Sequence, residues 1–203
     1  NATVQEIGEN FNPEVGFLPR AGHRYYQLFG MYYIRPNSGL REIRPHISYF
    51  TYRARKNDLN QGFEETGRWH IDTHWQWPDG MELHTGANWV REGLSEEFTI
   101  RGTDVKGAPG TYDAWEAVVV FNTNRSSTVV LDSRLTVGDF LSGNRRGIDG
   151  TVTFRQSERL STGVRLAYND VDLAEGAFTT TLAGVNVGYF FTPKIYLQSL
   201  VQY

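Results

Sequence analysis

Residues 68–91, RWHIDTHWQWPDGMELHTGANWVR, decide how the rest of the chain is read. Two alternating runs flank Pro78-Asp79-Gly80. Asp-Gly between such runs marks a β-hairpin, because glycine tolerates the positive φ that these turns need. In the first run Trp69, Ile71, Trp75 and Trp77 share one face, and His70, Asp72, His74 and Gln76 share the other. In the second, Met81, Leu83, Ala87 and Trp89 lie opposite Glu82, His84 and Asn88. Successive strand side chains point to opposite faces, so the ribbon has a greasy side and a polar side. The fold class turns on which of the two faces inward.

Composition narrows the choice. A chain of 203 residues suits one large β domain. The absence of cysteine excludes disulfides and cysteine-based zinc sites. A formal net charge of -3 and a pI near 6.0 give no reason to expect nucleic acid as a partner. No run approaches the roughly 18 apolar residues of a transmembrane helix, and no segment holds a 3.6-residue period. Residues 1–12 lack the basic region and apolar core of a signal peptide. The mean hydropathy of -0.46 is compatible with a membrane barrel, in which only alternate residues need be apolar.

Outward from the hairpin, the alternation predicts ten strands, at about 24–35, 40–55, 66–77, 80–91, 112–123, 128–141, 147–156, 162–170, 177–191 and 194–203. Several exceed the usual globular length of about 5–6 residues and match the roughly 9–11 tilted residues that cross a bilayer. Residues 1–22 have turn residues without a period and read as an outer loop; residues 92–111 read as a second, long outer loop. Short connections (36–39, 78–79, 124–127, 157–161, 192–193) alternate with longer ones (56–65, 92–111, 142–146, 171–176), less regularly in the second half. Outer-membrane barrels alternate in this way. Aromatics gather at both strand ends: Tyr33, Trp75, Trp77, Phe154 and Phe191 near the short turns, Trp89 and Trp115 near the long loops. Two aromatic bands around an aliphatic zone form the girdle of a bilayer-spanning sheet. The competing reading is a soluble sandwich or barrel, since strands are aromatic-rich in general.

The fold expected is therefore all-β, an antiparallel up-and-down transmembrane β-barrel. If 36–39 is periplasmic, the first predicted strand runs inward and the last ends at the outer rim. Single-chain barrels have even strand counts. The expectation is then a piece of a larger barrel, with strands before Asn1 and after Tyr203.

Three stretches carry a resemblance: FNPEVGFLPR (11–20), GAPGTYDAW (107–115) and YNDVDLAEGAFTTTLAGVNVGYFFTPKIYLQSLVQY (168–203). They resemble the uncharacterised bacterial family labelled domain of unknown function 5916. The resemblance implies a C-terminal outer-membrane β-barrel, a carbohydrate-binding-like domain upstream of this chain, and a bacterial outer-membrane location. It implies no catalytic residues.

The polar faces supply the candidate site residues: Arg44, His46, His70, Asp72, His74, Glu82, His84, Glu116, Asp132, Arg134, Arg155 and Arg165. Their first reading is the lining of a hydrated lumen, with no cofactor expected. A second reading joins His70, Asp72, His74 and His84, beside Glu82, into a metal site, since imidazole and carboxylate together suit zinc, iron, copper or nickel. A third, a hydrolase using an Asp–His pair to activate water, lacks a serine placed as nucleophile. The function expected is solute passage or surface handling of a carbohydrate-related ligand. The alternative is a non-conducting barrel that anchors a partner or its own periplasmic domain. Bilayer lipid is the expected partner in both.

Overall fold

The computed structural model describes residues 1–14, 16, 21–37, 39–54 and 63–203. Thirteen strands follow in order: β1 Ala2–Ile7, β2 His23–Met31, β3 Glu42–Ala54, β4 Glu64–Gln76, β5 Glu82–Leu94, β6 Phe98–Thr99, β7 Lys106–Gly107, β8 Gly110–Asn122, β9 Val129–Phe140, β10 Gly143–Arg155, β11 Leu160–Leu173, β12 Gly176–Thr192 and β13 Ile195–Gln202. No helix occurs among the described residues. Eleven strands form one antiparallel sheet in chain order, interrupted only by the small β6–β7 hairpin. All ten expected strands are present, most of them longer than expected.

Residues 2–7 are a correction. They were expected to be loop, but β1 pairs with β2 from Ala2↔Leu28 to Ile7↔His23. The α-amino group of Asn1 also donates to the Phe29 carbonyl at 2.8 Å. ATVQEI is short and polar, so the segment carries little β signal of its own. The unpaired backbone groups of β2 supply the reason for it to be extended.

The connections expected at 142–146 and 171–176 are a second correction. Each is a two-residue turn, Leu141-Ser142 and Ala174-Glu175, because β10 starts at Gly143 and β11 runs to Leu173. Residues 142–146 hold Ser, Gly, Asn and two arginines, and 171–176 hold two acids and a glycine, compositions that suit a loop. Here the charges are paired within the sheet: Arg145 lies opposite Gly138 and donates to Glu116 at 2.6 Å. The two tips are tied together, with Ser142 donating to Glu175 and accepting from the Ala174 amide.

The long connection 92–111 is also shorter than expected, because β5 runs to Leu94 and β8 begins at Gly110. Between them β6 and β7 pair, and Lys106 donates to Glu97 at 2.8 Å, which raises the Lys106 pKa above its ordinary value. Of the other expected connections, Ser38 in 36–39 and residues 56–62 in 56–65 lie outside the described residues. So do positions 15 and 17–20 of the 11–20 stretch.

The register sorts every side chain to a face. Trp75↔Leu83, Ile71↔Ala87 and Trp69↔Trp89 are opposed on one face; His74↔His84 and His70↔Asn88 are opposed on the other. The apolar face carries unbroken aliphatic rows, such as Leu131, Val152, Val164, Val185 and Val201 directly opposite one another across β9–β13. Burial runs opposite to the polarity of the two faces. Ile71 (60%) and Trp115 (61%) on the apolar face are exposed, as are Val137, Ile148, Val164 and Leu166. On the polar face Asn88 (0%) and Asp72 (7%) are buried, with Ala114, Val118, Val130, Val171 and Leu173.

Candidate functional site

The apolar face is banded. Tyr49, Trp69, Trp89 and Trp115 lie directly opposite one another across β3, β4, β5 and β8. Tyr49 and Trp69 stack at 4.4 Å. Beyond this row, Arg91 and Asp113 form a bidentate ion pair at 2.7 and 2.8 Å, with the Arg91 guanidinium 5.2 Å from the Trp89 ring. Ile71, Ala87, Ala117 and Val119 follow on the other side of the row, then Trp75, Leu83 and Phe121. Trp69 to Trp77 spans about 26 Å of strand at roughly 3.3 Å per residue, which for a strand tilted by about 40° is about 20 Å of height, against the ~25 Å apolar band of a membrane barrel. Trp75 donates its indole N–H to Thr85 at 3.1 Å. Trp77 follows β4 and is half-buried, and Tyr33 is exposed after β2. Phe154 and Phe191 are exposed on β10 and β12.

The opposite face holds every polar residue named from the sequence. The register places Arg44 beside His74 and His46 beside Asp72, and sets His74 against His84. It sets Glu116 against Asn88, Asp132 against Asn122, and Arg134 against Val120. Arg155 and Arg165 follow on β10 and β11. These residues divide into three groups. Arg165 and Asp149 form a separate exposed pair at 2.6 Å. Asp132 and Arg155 stand near the β8–β9 connection, with Arg125 and the Ser127 carbonyl. The remainder, apart from Arg134 on β9, form one network over β3, β4, β5 and β8.

The imidazoles sit at the middle of that network. Four of the chain's five histidines meet there, His46, His70, His74 and His84. His74 and His84 stack face to face with ring centroids 3.6 Å apart and planes 7° from parallel. The His46 ring lies 4.9 Å from that of His70 and 5.0 Å from that of His74. Asp72 Oδ2 stands 3.6 Å from both His70 Nε2 and His74 Nε2. Gly86 lies opposite Asp72, and a Cβ there would come within 3.1 Å of the Asp72 carboxyl carbon; the missing side chain leaves the carboxylate its place. Glu82 pairs with Arg44 and lies 3.6 Å from His74 Nδ1 and 3.4 Å from His84 Nε2. The 3.4 Å approach is not aligned as a hydrogen bond, and His84 Nε2 is buried without one.

Sequence reasoning passed over the residue that fixes this arrangement. Asn88 is wholly buried. Its Nδ2 donates to Glu116 at 2.8 Å, and its Oδ1 accepts from Arg68 at 2.8 and 3.0 Å. His70 Nδ1, 2.6 Å from the same oxygen, must therefore carry a proton. The nearby Arg68 Nη2, at 3.3 Å, is then a close approach and not a donor to that nitrogen. The lone pair of His70 is left on Nε2, facing Asp72. Arg145 closes the chain on Glu116. Asn88 sits at an even position of the polar run, which was the available signal, and an amide there looked like ordinary lining.

Searches of known protein families, of curated proteins and of solved structures return no match for this chain.

Proposed function

We propose that this chain forms part of the wall of a β-barrel in a bacterial outer membrane, its polar face lining a hydrated path for a small hydroxyl-rich solute. The inverted burial carries the reading: a broad, exposed aliphatic face bounded by a tryptophan row on one side and a charged, more buried face on the other. Exposed contiguous apolar surface on this scale is costly in water and favourable against lipid. The solute class draws on the polar face of β10–β13. Thr151, Thr153, Ser161, Asn186 and Gln198 line a groove there, floored by Gly163 and Gly184. Short neutral hydroxyls and amides suit a neutral polyol, and Arg165 beside them is neutralised by Asp149. The family resemblance points to the same carbohydrate class.

A second reading, a non-conducting anchor barrel, is favoured by the cross-strand ion pairs over the polar face: Arg165–Asp149 joins the adjacent β11 and β10, while Arg44–Glu82 and Arg145–Glu116 each reach across an intervening strand. Planar-bilayer recordings and liposome swelling in a neutral disaccharide separate the two. Stepwise conductance and sugar-driven swelling are expected. Folded protein that inserts yet neither conducts nor swells liposomes would favour the anchor.

A further inference from the structure

We propose that the polar face holds a divalent transition-metal ion, bound by Asp72, His70 and His46, with His74 and His84 as flanking donors. The inference goes beyond solute passage and does not depend on it.

Geometry is the first argument. In a tetrahedral zinc site with bonds of about 2.0–2.1 Å, neighbouring ligand atoms lie about 3.3 Å apart. Asp72 Oδ2 is 3.6 Å from the Nε2 atoms of both His70 and His74. His46 with His70 and Asp72, and Asp72 with His74 and His84, each offer ligand atoms within 4.8 Å of one another. Asp72 is common to both trios.

The shell around the ligands is the second. A metal-bound histidine usually gives its other nitrogen to a carboxylate, carbonyl or amide oxygen, which sets the tautomer. Asn88 does this for His70: its oxygen requires a proton on Nδ1 and leaves Nε2 free to coordinate. The Glu82 carboxylate, 3.6 Å from His74 Nδ1, holds the same position behind His74.

Unmet bonding capacity is the third. Asp72 Oδ1, His46 Nδ1 and His84 Nε2 are buried without a hydrogen-bond partner in the protein. Each such group costs about 1–3 kcal/mol if left bare. Three of them around one carboxylate point to a shared missing partner. A donor set of imidazoles with one carboxylate and no thiolate selects zinc, copper, nickel or iron over magnesium and calcium, which take oxygen cages.

The test is titration calorimetry of the folded full chain in detergent micelles, with zinc chloride and then calcium chloride. Zinc should bind in the micromolar range or tighter, and calcium should give no heat. Asp72→Asn and His70→Gln should each weaken zinc at least about 10-fold. Asp149→Asn, on the same face but outside the cluster, should leave zinc affinity unchanged. If a cluster variant does not fold, Cu²⁺ electron paramagnetic resonance on the unaltered chain decides. Superhyperfine coupling to two or more imidazole nitrogens supports the site. Absence of zinc binding, affinity unmoved by Asp72→Asn, or copper without nitrogen coupling would overturn it and would assign the cavity to water.

Discussion

Replacing Val119 or Leu135 by arginine is expected to destabilise the folded chain in phospholipid vesicles by about 2–4 kcal/mol, the cost of an arginine near the midplane of a membrane barrel. The two residues are directly opposed on β8 and β9. Both are exposed, and both lie well inside the band between the tryptophan row and Phe121. On a face bathed in water the same substitution would fall within about 0.5 kcal/mol, since no core contact is lost. Arginine at Asn186, on the polar face of β12, should be close to neutral, because a guanidinium there meets the groove. Guanidinium-chloride unfolding of vesicle-inserted protein measures all three. Equal, small effects at Val119, Leu135 and Asn186 would remove the lipid from the account.

Asn88→Ala should be the most damaging single truncation on the polar face, at about 3 kcal/mol. The side chain is wholly buried and serves Arg68, His70 and Glu116 together. Removing its amide leaves a guanidinium, an imidazole N–H and a carboxylate oxygen without that partner, and each unsatisfied buried group costs about 1–3 kcal/mol. Glu116 keeps Arg145, which limits the total. The same unfolding assay reads the loss. A change below about 1 kcal/mol would mean that water reaches these groups freely and that the face is wetter than its burial indicates.

The hairpin at residues 68–91 was legible because three signals agreed there: alternation, the turn residues and the tryptophans. From that period alone the twelve polar candidates fall on a common face, and the register places them so. What the sequence did not display depends on partners elsewhere in the chain. Ala2–Ile7 is a strand because β2 offers an edge, not because ATVQEI prefers one. Arg145 looked like a loop residue until Glu116, 29 positions earlier, came within 2.6 Å. His46 belongs to the imidazole cluster through the β3–β4 register, which the 68–91 hairpin does not contain. Asn88 gave no chemical signal beyond its parity, since its importance comes from zero exposure and three charged or polar neighbours.

The central claim is that the aliphatic side of the sheet meets lipid and the charged side meets water. The chain has no cysteine, so single cysteines can be introduced and spin-labelled without background. Labels at consecutive positions 148–153 of β10, in lipid vesicles, should alternate: high oxygen and low nickel-chelate accessibility at 148, 150 and 152, and the reverse at 149, 151 and 153. Nickel-chelate accessibility that is highest at 148, 150 and 152, or equal along the strand, would contradict the account.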